Sequence, residues 1–154
     1  MVTVQTIENI KKGSKITYFN GIYAMILGVL YIILFKLILI INFSNIAIVW
    51  DVFARYNSAL YFLFVKLIIF KGLLIFAMGV AITYLSNYII KKKDKAAWVV
   101  LFILGIIFWT SLLVLEILDR NIYTASAVGI GWIIFLIGML IPMGYYMQKG
   151  YEDY

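Results

Sequence analysis

The sequence predicts an all-α polytopic membrane protein, an antiparallel bundle of four transmembrane helices with an amphipathic helix lying in the outer interface between the first two. Three observations predict it. Hydrophobic residues make up 66% of the 154 and charged residues 13%, whereas a soluble domain has roughly 45–50% apolar and ~25% charged residues. Apolar runs at about 16–43, 61–90, 96–118 and 123–147 are each long enough to cross a bilayer. The lysines outside those runs gather at their ends, as topology signals do. A single transmembrane domain over 1–154 therefore uses nearly every residue and leaves no room for a soluble catalytic domain.

Taken in order, residues 1–15 read as a short cytoplasmic lead. In it Ile7 and Ile10 rest on the membrane surface, Gly13 ends that turn and Ser14 caps the first span. The first run follows lysines and lacks a small-x-small cleavage site, so it is expected to stay as a signal anchor. In 44–58, Ile46, Val49, Trp50 and Phe53 fall on one helical face and Ser44, Asp51, Arg55 and Ser58 on the other. Asp51 and Arg55, four apart, can pair, which predicts the interfacial helix. Residues 91–95 form a lysine-rich turn joining spans two and three. The loop 119–122 is so short that spans three and four must be antiparallel neighbours.

Packing is expected through small residues, because lipid is as apolar as leucine and hydrophobicity cannot drive helix association within it. Three spans carry glycines seven apart, Gly21 with Gly28, Gly72 with Gly79 and Gly131 with Gly138, each pair marking one stripe suited to left-handed packing. Tyr18, Tyr61, Tyr84, Tyr88, Trp98, Tyr123, Tyr145 and Tyr146 gather toward span ends as an interfacial belt. Trp109 and Trp132 lie deeper and read as core filling. Pro142 is expected to bend the last turns of span four.

The charge distribution orients the chain. Lys11, Lys12, Lys15, Lys91, Lys92, Lys93, Lys95 and Lys149 flank helix ends on one side, while the opposite loops carry only Arg55 and Arg120. By the positive-inside rule both termini are expected in the cytoplasm, of a prokaryotic cell by this reading. The same placement assigns the net charge of +6 to lipid headgroups rather than to nucleic acid.

Cysteine and histidine are both absent. With them go thiol redox chemistry, thiolate or imidazole metal sites and an imidazole general base, so no cofactor and no metal are expected. No nucleophile–base pair or phosphate-binding loop is legible. An enzyme would need Glu116 as its acid or base, with Lys71 setting its affinity for protons.

What remains is the intramembrane charge, a functional-site hypothesis by default. Lys36, Lys66 and Lys71 lie within spans one and two, and Glu116 near the outer end of span three, with Asp119 and Arg120 just beyond it. Lys71 is the first choice for an inward role, with Glu116 as its counter-ion and Lys36 as a second partner. Lys66 can snorkel along its own stem. With Asp51 and Arg55 these form an outer charged layer, the candidate contact for a ligand or partner. The leading expectation is a non-catalytic accessory or structural subunit of a larger membrane complex, in contact with other membrane chains or with copies of itself. The alternative is a stand-alone membrane carrier or binding protein for an anionic small molecule or an anionic lipid.

Overall fold

A computed structural model describes residues 4–44 and 57–148, with side chains described over 7–42 and 57–147. The described chain is helical: α1 (Val4–Ile33), α2 (Phe35–Ser44), α3 (Ser58–Lys92), α4 (Lys95–Leu118), α5 (Ile122–Leu140) and α6 (Met143–Gln148). Four stretches are long and apolar enough to cross a membrane, Ile7–Ile33, Ser58–Lys92, Lys95–Leu118 and Ile122–Leu140. The interfacial helix expected at 44–58, with Asp51 and Arg55, lies almost wholly outside the described residues.

Several helix ends have a local cause. Asn57 accepts a hydrogen bond from the Leu60 amide and caps α3, and Asp94 accepts from the Ala96 and Ala97 amides and caps α4. Asn121 accepts from the Thr124 amide and caps α5. Side-chain oxygens of this kind satisfy amides that have no carbonyl four residues back. Lys93 ends α3 in a left-handed conformation, φ 52°, with its amide bonded to the Ile89 carbonyl. Pro142 has no amide to give and cannot continue α5, which stops at Leu140; α6 restarts with the Tyr145 and Tyr146 amides on the Pro142 carbonyl. Between α1 and α2 the break is slight. The Leu34 amide bonds the Leu30 carbonyl and the Ile38 amide bonds the Leu34 carbonyl.

One expectation is overturned here. Gly13 does not end a surface turn and Ser14 caps nothing: α1 runs unbroken from Val4, with Ile10, Gly13, Ser14 and Thr17 buried. Lys11, Lys12 and Lys15 are exposed on its other faces, and Lys12 pairs with Glu8 at 2.8 Å.

The buried positions repeat by threes and fours: Ile10, Ser14, Thr17, Gly21, Ala24, Gly28 and Tyr31 on α1, then Gly72, Ile75, Gly79, Ile82, Ser86 and Ile89 on α3. That is the narrow seam of left-handed helix packing. α1 packs against α3 along most of its length and against α5 on a second face; α4 packs against α5 and, more sparsely, α3. Gly21 faces Gly79 and Thr83, while Gly28 faces Gly72 and Phe76, so α1 and α3 run antiparallel with their glycines opposed. On α5, Gly131 receives the Trp109 ring and Gly138 faces Thr17 and Gly13 of α1. Polar groups reinforce these contacts: Asn20 donates to the Gly131 carbonyl at 2.7 Å and accepts from the Trp109 indole at 3.2 Å, and the Tyr23 hydroxyl donates to the Ala127 carbonyl at 2.8 Å.

Candidate functional site

Close approach of α1 and α3 builds the site. A Cβ on Gly72 would come within 2.9 Å of the Gly28 carbonyl oxygen and 3.0 Å of the Tyr31 Cβ. Its absence lets Tyr31 settle beside the neighbouring Lys71, whose ammonium lies 5.6 Å from the ring centroid. Glu116, two residues before the end of α4, enters from the other side. Its Oε1 accepts from the Tyr31 hydroxyl at 2.5 Å and lies 2.6 Å from the Lys71 Nζ. Both are charge-assisted hydrogen bonds, short as such bonds are.

Burial makes this pairing necessary. The Glu116 side chain is 0% exposed and that of Lys71 20%. An ionised carboxylate without water is stable only if paired and hydrogen-bonded. Oε1 is well supplied, whereas Oε2 is buried with no hydrogen-bond partner among the described residues.

The cluster extends toward the α4–α5 turn. Asp119, 41% exposed, places Oδ2 at 3.7 Å from Lys71 Nζ and accepts from Asn42 Nδ2 at 3.4 Å. Asn42 in turn accepts from Asn121 Nδ2 at 2.7 Å, so the α5 cap also ties α2 to this turn. Arg120 adopts φ 53° in the same turn and its side chain is exposed.

Beside the cluster, between α2, α3 and α4, lies a half-open cavity of about 730 Å³. Phe64, Leu67, Leu74, Ile75, Ile107 and Phe108 are among its apolar lining, and Tyr31, Lys71, Ser111, Asn42 and Asp119 supply polar groups. Ligand sites are characteristically concave and apolar with a few convergent polar groups, in the range of about 300–1,000 Å³.

Of the candidates read from sequence, Lys71 and Glu116 are brought together here. Lys36 and Lys66 are exposed, line no part of the cavity, and have no ion-pair partner among the described residues. Asp51 and Arg55 lie outside the described residues. Tyr31, Asn42 and Asn121 were not singled out as candidates. Asn42 carried a signal, an amide in an otherwise apolar run, where an unpaired polar group is costly, though far less so than a charge. Asn121 reads from sequence only as a helix cap. No protein-family model, curated protein or solved structure matches the chain.

Proposed function

We propose that this chain is a small non-catalytic integral membrane protein that holds a lipid-like amphiphile in the cavity between α2, α3 and α4. In this proposal its four long helices cross the membrane as an antiparallel bundle. The termini and the 91–95 turn face the cytoplasm, and an interfacial helix at 44–58 lies on the far side. The observation that carries the reading is a cavity walled mostly by apolar side chains, Phe64, Leu67, Leu74, Ile75 and Ile107 among them, with Lys71, Asn42 and Asp119 as polar groups within it.

Depth agrees with that arrangement. Lys71 precedes Lys92, the last residue of α3, by 21 residues, about 31 Å at ~1.5 Å per residue. A hydrocarbon layer is about 30 Å thick. With the lysine turn at one boundary, Lys71 comes near the other, and Leu74, Ile75 and Ile107 reach from there toward the mid-plane. A chain-bearing molecule with a polar head has the same layout.

Native mass spectrometry from mild detergent tests this. The expected result is one co-purified lipid on the parent protein, retained by Val80→Trp, which alters an exposed position away from the cavity, and lost by Ser111→Trp, which fills it. Equal retention by Ser111→Trp, or no lipid on the parent protein, overturns the proposal.

A second reading, an accessory subunit of a larger membrane complex, is favoured by Lys36 and Lys66. Both are exposed and without an ion-pair partner among the described residues, on faces where acidic residues of another chain could meet them. Co-purification of another chain, lost on Lys36→Ala with Lys66→Ala, is its expected signature. A monodisperse monomer with no such chain counts against it.

A further inference from the structure

The chemistry of the cavity's polar groups names the head it takes. We infer, building on the amphiphile reading above, that the cavity prefers a lipid whose head carries a primary ammonium group over one with an anionic head. The anionic preference expected from a layer of lysines reverses because the one lysine in the wall is already committed. Lys71 is held by Glu116 at 2.6 Å and approached by Asp119 at 3.7 Å, so one positive charge stands against two negative ones.

Other cations do not restore the balance in the wall. Lys66 sits about a third of a turn away from the α3 face that carries Phe64, Leu67, Lys71 and Leu74, and Lys36 is similarly displaced from the α2 face of Ile38, Leu39 and Asn42. Arg120 is exposed and does not line the cavity. Acceptor capacity is in surplus as well. Both contacts to Asp119 Oδ2, from Asn42 at 3.4 Å and from Lys71 at 3.7 Å, are long. Glu116 itself does not line the cavity and acts on it through Lys71, whose charge it balances from behind the wall. A three-donor ammonium supplies donors to the wall and balances its own phosphate, whereas a phosphate with only a glycerol head brings a net negative charge to a wall whose one lysine among the described residues is already paired.

The experiment offers the purified full chain equimolar phosphatidylethanolamine, phosphatidylcholine and phosphatidylglycerol of identical acyl chains in mixed micelles, and reads bound lipid by native mass spectrometry. Phosphatidylethanolamine is expected to be retained roughly tenfold over phosphatidylglycerol, the scale of one charge-assisted hydrogen bond. It should also exceed phosphatidylcholine, whose quaternary head has no N–H. Asp119→Asn is expected to bring the three toward parity. Equal or greater retention of phosphatidylglycerol, with binding still blocked by Ser111→Trp, overturns the head preference and leaves the amphiphile reading standing. Retention of none of the three overturns both. Free ethanolamine at millimolar concentration is expected not to displace the lipid; displacement would make the site one for a free amine and overturn the lipid assignment.

Discussion

Glu116 shares one oxygen between two donors while its other has none among the described residues, and the difference in burial between Glu116 and Lys71 makes the members of the pair unequal. Removing Lys71 strands a carboxylate that is 0% exposed; removing Glu116 leaves an ammonium that is 20% exposed, near Asp119 and on a flexible stem. Lys71→Met is therefore expected to cost about 3 kcal/mol, the lower end for breaking a buried pair, and Glu116→Leu about 1–2 kcal/mol. The double variant should lie closer to the parent than Lys71→Met does, because well-packed apolar groups replace a buried pair at little cost. Equilibrium unfolding of the four proteins in one detergent checks the order. A larger loss from Glu116→Leu than from Lys71→Met would mean that the carboxylate, not the ammonium, has the easier escape to water.

At the level of elements, the spacing of glycines carried much of the packing but not the partners. Seven residues separate Gly21 from Gly28 and Gly72 from Gly79, and the two stripes do oppose each other. Gly131 has the same spacing to Gly138, yet Gly131 meets the Trp109 ring and Gly138 meets Thr17 and Gly13. A period fixes which face of a helix is narrow; which neighbour fills that face depends on how the helices are arranged, and a single helix does not encode that. The start of α1 was hidden for a different reason. Lys11, Lys12 and Lys15 depress the local hydropathy, although the repeat of threes and fours through Ile10, Ser14 and Thr17 continues without interruption. The glycines differ in a measurable way. A Cβ at Gly28 would meet the Phe76 amide nitrogen at 2.6 Å and the Gly72 carbonyl oxygen at 2.7 Å, both backbone atoms, whereas one at Gly129 meets only Leu113 Cδ1 at 3.9 Å. Gly28→Ala must push α1 from α3 and is expected to cost about 2 kcal/mol or more. Gly129→Ala is expected to be neutral or to gain up to ~1 kcal/mol from helix propensity. Thermal unfolding in detergent separates them, and a Gly129→Ala loss as large as that of Gly28→Ala would contradict the close approach of α1 to α3.

For the molecule as a whole, composition made the four long helices legible and left the cavity hidden, because the cavity exists only where three helices diverge. Lys71 and Glu116 are 45 residues apart in the chain, and no local pattern joins them. Orientation, by contrast, is a property of summed charge and is open to direct measurement. The chain has no cysteine, so each introduced thiol reports alone. Ser58 and Arg120 are exposed at the end of the molecule near the Lys71–Glu116 cluster, and Lys92 is exposed at the other end of α3. With the lysine-rich turn held in the cytoplasm, Ser58→Cys and Arg120→Cys are expected to react with a membrane-impermeant maleimide on intact cells, and Lys92→Cys only after permeabilisation. Reaction of Lys92→Cys alone on intact cells would invert the assignment. The inversion would also move the cavity from the outer to the cytoplasmic leaflet, whose anionic lipids attract basic segments. There a wall that holds Asp119 and a Lys71 already paired with Glu116 would have to select its amine-headed lipid against a larger anionic background. The labelling result therefore decides which leaflet's lipids must be supplied when the head preference is measured.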